Sequence, residues 1–192
     1  LQFKKYLYKD LILDGKIDRN TFDGIFKVED DNLNLNFDGT FEYINQQAFL
    51  NFKSNVKQID LMALNLSSSP LKFSANMDIN LSGTGLNDFI GQLNISNFQM
   101  QVKDSIYHLD TIGIGSKMLA QGGKEIFVKS DLGMVTINGN YDIPNMVRSV
   151  KKVIYNNNPQ ITKAWKEDIA NYPGHQKFDF SVHLKKSSNF LS

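Results

Sequence analysis

Strict alternation of apolar and polar residues is the feature that most limits how this chain can fold. It is clearest in four segments, which begin at Leu33, Leu71, Val135 and Phe178 and in which every second residue is apolar or glycine. Side chains on a β-strand point to opposite faces in turn, so each segment predicts a strand with one apolar and one hydrated face. Central strands of a parallel sheet would be apolar on both faces. The pattern therefore predicts a mainly β protein built from antiparallel strands.

Weaker alternation extends this pattern over much of the chain. It covers residues 11–17, 22–28, 48–56, 93–102, 107–114 and 126–130. The apolar positions change parity between Ile95 and Phe98, which predicts a bulge or a break between two short strands. Short turn signals such as Asp14-Gly15 and Gly122-Gly123 lie among the segments. About ten strands joined by turns predict a meander, in the form of an elongated, curved antiparallel sheet.

Helical spacing is confined to one part of the sequence. Pro144 suits a first helical position, and Met146, Val150 and Ile154 follow it at intervals of four residues. A second short helix is predicted after Pro159. The chain therefore divides into a β segment at 1–143, an amphipathic two-helix insertion at 144–173, and a strand at 174–192 that begins a further β unit.

The composition disfavours several classes of function. The 192 residues carry a net charge of +1, which does not favour a nucleic-acid partner. There is no cysteine, the three histidines are far apart, and no nucleotide-binding or nucleophile motif is present. The acidic run Glu29-Asp30-Asp31 lacks the spacing of a calcium loop and is interpreted as a solvated turn. We therefore expect no enzyme activity, no cofactor and no metal site.

The apolar face of each strand must be covered by something. One possibility is a second sheet, which would give a closed β-sandwich acting as a spacer or adhesin-like binding module without lipid. The other is an open apolar groove that holds a guest such as an acyl chain. The same alternation of apolar and polar residues is expected for the sandwich and for the groove. The positions expected to line the apolar interior are Leu33, Leu35, Phe37, Phe41, Leu71, Phe73, Met77, Ile79, Leu81, Val135, Ile137, Tyr141, Phe178, Phe180 and Val182.

Four pieces of the sequence, taken in order, resemble the recurring unit of the TamB family of Bacteroidetes, a group of AsmA-like proteins. Residues 15–43, GKIDRNTFDGIFKVEDDNLNLNFDGTFEY, resemble its run of G-K-hydrophobic, F-x-G-x-hydrophobic and D-x-N-L-x-L-x-F-x-G. Residues 80–110 resemble its strand pair with the Y-x-L-D hairpin return. Residues 129–154 and 178–192 follow the family's order of strand, helix and next unit. The chain departs from the pattern at residues 30–32, where Asp-Asp-Asn replaces the expected Asp-Pro-Asn.

The resemblance implies a bridge-like lipid-transfer protein of the periplasm. Members of the family are anchored in the inner membrane by an N-terminal helix, and their apolar β-groove crosses the periplasm. Their C-terminal part meets a TamA-type barrel in the outer membrane. The implied function is to conduct phospholipid between the two membranes, in support of outer-membrane biogenesis and protein assembly. On this basis we expect the chain to be an internal piece of the groove, with phospholipid acyl chains as its direct partner.

Overall fold

The computed structural model describes residues 1–85, 87–143, 145, 146, 148, 152 and 177–185. These residues form one ten-stranded sheet and a separate two-stranded hairpin. The strands are β1 (Gln2–Phe3), β2 (Tyr6–Leu7), β3 (Leu11–Asp18), β4 (Thr21–Asp30), β5 (Leu33–Ile44), β6 (Gln47–Asp60), β7 (Leu71–Gly83), β8 (Ile90–Val102), β9 (Ser105–Met118), β10 (Lys124–Ser130), β11 (Gly133–Asn140) and β12 (Lys177–Leu184). The prediction of a mainly β, antiparallel fold is confirmed.

The large sheet is a meander, as the turn-like connections predict. Strands β3 to β12 lie side by side in sequence order, and every neighbouring pair is antiparallel. The sheet is open, with β3 at one edge and β12 at the other. Within the described residues no second sheet packs against it to form a sandwich. Strand β12 joins this same sheet as its tenth strand, beside β11.

The change of parity between Ile95 and Phe98 is a bulge and not a break. Strand β8 is continuous from Ile90 to Val102, and its register with β7 shifts opposite Ser74 and Asn76. Asn97 occupies the extra position with φ of 52°. This is a left-handed conformation that asparagine tolerates better than most residues. The bulge keeps apolar side chains on one face on both sides of the irregularity.

The most buried part of the sheet lies near one end of its strands. Val28, Leu35 and Val56 are 1%, 7% and 2% exposed, and they form a cluster across β4, β5 and β6. The apolar side chains packed around them are Leu11, Phe26, Leu33, Phe37, Ile59, Phe73 and Met77. The β1–β2 hairpin and the connection between β6 and β7 contact each other at this end, where the side chain of Asn65 donates to the carbonyl of Lys4.

The two-helix insertion predicted for 144–173 lies outside the described residues except at 145, 146, 148 and 152. At its beginning, the amide of Met146 donates to the carbonyl of Asp142 at 2.7 Å, which is the hydrogen bond of a helical turn. The Asp142 carboxylate accepts from the amide of Asn145 at 2.8 Å. Asp142 therefore acts as an N-cap, a role for which aspartate is a preferred residue.

Candidate functional site

The expected lining residues lie together on one face of the sheet. Fourteen of the fifteen belong to β5, β7, β11 and β12. Residues directly opposite each other in neighbouring strands share a face. The pairing of each strand with the next therefore places the apolar residues of β5, β7, β11 and β12 on the same face. Tyr141 follows β11, and its ring lies edge-on against that of Phe178 at 6.2 Å between centroids. The residues that the sequence singles out therefore belong to one surface.

Three rows of side chains cross this face from edge to edge, each with one residue from every strand. The first contains Leu13, Phe26, Phe37, Ser54, Met77, Ile95, Ile112, Ser130, Gly133 and Leu184. The second contains Gly15, Gly24, Gly39, Phe52, Ile79, Leu93, Ile114, Val128, Val135 and Val182. The third contains Ile17, Phe22, Phe41, Leu50, Leu81, Gly91, Ser116, Ile126, Ile137 and Phe180. None of these residues is charged, and only three, all serines, are polar.

Most residues of these three rows, 21 of 30, are not among the positions expected from the sequence. Apart from Gly39, Gly133 and Leu184, they lie on β3, β4, β6, β8, β9 and β10, where the alternation is shorter or interrupted by serine and glycine. Phe52 and Ile114, for example, lie in the same row as the expected Ile79. They can be identified by which positions, odd or even, are apolar in each weak segment. The pairing of that segment with its neighbouring strands then shows on which face those positions lie.

The apolar face is large, and much of it is open to solvent. Ten strands at a spacing of about 4.8 Å make it roughly 43 Å long. Its central side chains, such as Ile79, are half-buried, while at the edges Ile17 is 73% and Phe180 is 68% exposed. A contiguous apolar surface of this extent is a mark of contact with a protein, a lipid or another apolar partner.

One end of the apolar face is closed by a buried carboxylate. Asp30, only 6% exposed, accepts hydrogen bonds from the hydroxyl of Tyr6 and from the amides of Lys9 and Asn32 at 3.0 and 2.9 Å. Burial opposes the charge, but these hydrogen bonds outweigh it and hold the pKa of Asp30 below its usual value. The hydrogen bond to Asp30 also raises the pKa of Tyr6. This cluster ties the N-terminal hairpin to the sheet.

The other end carries a buried cation. The ammonium of Lys124, a residue 7% exposed, donates to the carbonyl of Asn87 and lies 5.4 Å from the ring centre of Phe89 and 5.8 Å from that of Tyr141. Burial lowers the pKa of Lys124, and the charge of Asp88 opposes this shift only in part. The aromatic rings stabilise the ammonium through their electron-rich faces. The uncharged rows therefore lie between a carboxylate at one end and a cation at the other.

A column of glycines leaves a hollow in the apolar face. Gly15, Gly24 and Gly39 lie directly opposite one another on β3, β4 and β5. Without side chains there, an apolar depression of about 220 Å³ opens on this part of the sheet. Its lining residues are Phe22, Gly24, Phe26, Phe37, Gly39, Thr40, Phe41, Leu50 and Phe52.

The larger concavity lies on the opposite, hydrated face. It has a volume of about 780 Å³ and is lined by residues of β5 through β10 together with Asp131 and Lys185. The side-chain amide of Asn55 donates to that of Asn76 on the neighbouring strand, and Asp38 and Asp78 flank Lys53 on the strands beside it. The ring of Phe127 lies over Gly115, where a side chain would collide with it. This concavity is separate from the apolar depression beside the glycines, and the apolar groove itself stays a prediction.

Neither a metal site nor a membrane helix is found among the described residues. No cluster of three or more histidine, cysteine or acidic residues there is arranged to hold a metal ion. Nor is any helix in that part of the chain long and apolar enough to cross a membrane.

The fold defines the class of the protein as an open, antiparallel β-meander with one apolar face. No family model matches the chain, and neither does any curated protein or solved structure. The surfaces of the chain itself are therefore the basis for a functional assignment.

Proposed function

We propose that the apolar face binds acyl chains and that the chain is a segment of a TamB-like, bridge-type lipid-transfer protein. The observation that carries this proposal is the set of three rows that cross all ten strands without a charged residue. Among the described residues the edges of this face are exposed, as contact with an apolar partner requires. The order of family-like pieces in the sequence supports the same assignment.

Non-directional contact is the mode of binding that this face offers. Each CH₂ group moved from water onto an apolar wall contributes about 0.8 kcal/mol. The rows contain no charged side chain that would fix a head group in one place. Successive positions along a row present similar apolar surfaces, so an acyl chain can slide from strand to strand at little cost. Such a face suits conduction better than storage of a single ligand.

In this proposal the full-length protein crosses the periplasm. Other parts of the full-length protein anchor it in the inner membrane and meet a TamA-type barrel in the outer membrane. The chain described here contributes a length of apolar, non-catalytic groove through which phospholipid passes between the membranes. Outer-membrane biogenesis and protein assembly depend on that supply of lipid.

Substitution of Ile79 by aspartate tests the proposal. Ile79 lies in the middle row on β7, whereas its neighbour Asn80 is exposed on the hydrated face. Placing a charge among apolar side chains removes their contact with an acyl chain and brings a desolvation cost. We expect Ile79→Asp to weaken binding of a phospholipid with a fluorescent acyl chain by about tenfold or more, which corresponds to about 1.4 kcal/mol. Titration by fluorescence measures the change.

Asn80→Asp is the matched control, since it introduces the same charge one residue away on the other face. Circular dichroism should show that both variants keep the sheet. Equal binding by the two variants and the unmodified chain would contradict the proposal. So would the absence of any lipid in organic extracts of the purified chain together with no binding of the fluorescent phospholipid.

The polar concavity favours a second candidate, a binding module without lipid. Its 780 Å³ volume and its amide and charged side chains suit a polar ligand. This candidate keeps the adhesin-like role considered above but not the closed sandwich. It predicts that the purified chain carries no lipid and that Ile79→Asp leaves ligand binding unchanged, which is the opposite of the first proposal.

A further inference from the structure

Within the part of the chain that the structure describes, both edges of the sheet are open and apolar on the same face. On β3, Leu13 is 65% and Ile17 is 73% exposed, and on β12, Phe180 is 68% and Leu184 is 76% exposed. An edge strand also presents a row of unpaired backbone donors and acceptors. Such edges are templates for pairing with another strand unless something prevents it.

The number of strands sets the geometry of any such pairing. Neighbouring strands alternate in direction through the ten-stranded sheet, so β3 and β12 run in opposite directions. When a second copy is placed head to tail, its β3 lies antiparallel to β12 of the first. The apolar faces of the two copies then lie on the same side. The meander can thus continue from copy to copy without a change of pattern.

We propose that β12 of one copy of this chain pairs with β3 of the next in a specific antiparallel register. In this register Leu11 lies opposite Leu184 and Asp18 lies opposite Lys177, so both eight-residue strands are fully paired. Leu13 then faces Val182 and Ile17 faces Phe178 on the apolar side. Apolar cross-strand pairs of this kind stabilise a sheet.

The hydrated side of the same register is complementary in charge. Lys16 lies opposite Asp179, and Asp18 lies opposite Lys177. A shift of two residues in one direction brings Asp18 against Asp179. The opposite shift brings Asp14 against Asp179 and Lys16 against Lys177. Like charges directly opposite each other destabilise a strand pair, so the charges oppose both of these shifts.

A shift of one residue is excluded for a different reason. It would turn the apolar side chains of one strand toward the hydrated side chains of its partner, because side chains alternate with a period of two. The aligned register is therefore the one that satisfies both faces of the sheet.

The remaining apolar pair repeats an arrangement already present within the chain. Gly39 lies opposite Phe52, and Gly139 lies opposite Phe178. In the proposed contact Gly15 of the next copy lies opposite Phe180. An aromatic side chain covers the bare backbone of a cross-strand glycine, which is a known way to stabilise such positions.

A contact between two different edges leaves both outer edges free, so the assembly is open and grows in one direction. Each added copy lengthens the uncharged rows by ten strands. The inference does not depend on the proposed lipid function, because pairing of the edges requires no lipid.

Charge exchange at Asp18 and Lys177 tests the contact. Inside the chain these residues lie opposite Thr21 and Asn140, so changing their charge disturbs no ion pair between the strands concerned. Asp18→Lys should place two lysines opposite each other and weaken self-association by about tenfold, as measured by sedimentation without lipid. The double variant Asp18→Lys with Lys177→Asp should restore it. Asp104→Lys, at an exposed turn, makes the same change in net charge and should have no effect.

Single cysteines distinguish the proposed contact from a symmetric dimer, because the chain has no cysteine of its own. Asp14 and Ser181 are exposed and lie opposite each other in the proposed register. A short thiol crosslinker should join an Asp14→Cys chain to a Ser181→Cys chain and should not join either variant to itself. Crosslinks only within one variant, or a chain that stays monomeric up to its solubility limit, would overturn the proposal. Lipid binding by such a monomer would leave the proposed function standing.

Discussion

Asp30 connects the N-terminal hairpin to the large sheet through a few strong hydrogen bonds. Its carboxylate is shared by the Tyr6 hydroxyl, the Lys9 amide and the Asn32 amide. Hydrogen bonds to a charged group contribute about 1.5–3 kcal/mol each, more than those between neutral groups. A single side chain therefore holds together segments that are far apart in the sequence.

Asp30→Asn is expected to lower the free energy of unfolding by about 2 kcal/mol at neutral pH. The amide keeps the size of the side chain but loses the charge, and its NH₂ group donates where an acceptor is needed. Chemical denaturation measures the difference. Asp31→Asn is the matched control, because Asp31 is exposed and its substitution should change stability by less than about 0.5 kcal/mol.

The same residue makes stability depend on pH in a defined direction. The pKa of Asp30 is lower in the folded chain than in the unfolded one, so its contribution is present above about pH 4 and is lost as the pH falls through the folded pKa. The difference between the unmodified chain and Asp30→Asn should therefore shrink in acid. A difference that grows in acid would show that the carboxylate is not stabilised as described.

Asp30 also shows where residue-level prediction from the sequence is wrong. The composition of the run Glu29-Asp30-Asp31 predicts a solvated turn, yet Asp30 is 6% exposed and ends strand β4. Its partner Tyr6 is 24 residues away, and nothing in the local sequence indicates that contact. Asp30 is two residues after Val28, so alternation places both on the same face of β4. This spacing was the one feature of the sequence that indicated burial of Asp30.

Glycines fix the close approach of neighbouring strands at two corresponding places. Gly39 and Gly139 have φ of 149° and 148°, a conformation that other residues rarely adopt. A Cβ atom at Gly39 would lie 2.2 Å from the carbonyl oxygen of Asn51, and one at Gly139 would lie 2.6 Å from that of Lys177. The similar runs at 37–41 and 137–141 in the sequence therefore have a common structural requirement.

Gly39→Ala should destabilise the sheet by about 1–3 kcal/mol or more, because it combines an unfavourable backbone conformation with a steric clash. Thermal unfolding measures the effect. Gly85→Ala is the control, since a Cβ at Gly85 meets nothing within 4 Å. Equal midpoints for the two variants would contradict the account of the close approach at β5 and β6.

At the scale of elements, the strands were predictable and the short covering pieces were not. Long alternation in β5 and β7 is a strong local signal, since it reflects one buried and one hydrated face. The β1–β2 hairpin has strands of two residues each, which is too short for any periodicity. Leu64, 1% exposed, lies in the connection between β6 and β7 and belongs to no alternating run.

For the molecule as a whole, the sequence predicted which residues share a face but not how that face curves. Alternation determines the side of the sheet on which Ile79 and Ile137 lie. Curvature depends on twist and bulges accumulated over many strands, such as those at Asn97 and between Val56 and Ile59. The location of the large concavity on the hydrated face could not be read from periodicity for this reason.

The order of the strands also has a consequence for how the chain folds. From β3 to β11 every strand pairs with its immediate neighbour in the sequence, so each contact closes only a short loop. Such a sheet can grow strand by strand as the chain is synthesised, with low contact order and little search. β12 is the exception, because it pairs with β11 only after the long connection between Asn140 and Lys177.

We therefore expect β12 to open more readily than the central strands. In the unassociated chain, the amides of β12 should exchange with deuterium faster than those of β7, which is paired on both sides. Hydrogen exchange followed by mass spectrometry resolves the two segments. Equal protection of β12 and β7 would mean that the sheet opens as a single cooperative unit. Faster exchange of the β12 amides would mean that β12, the last strand to pair, is also the first to separate from the sheet. Each time it separates, the backbone edge of β11 is exposed.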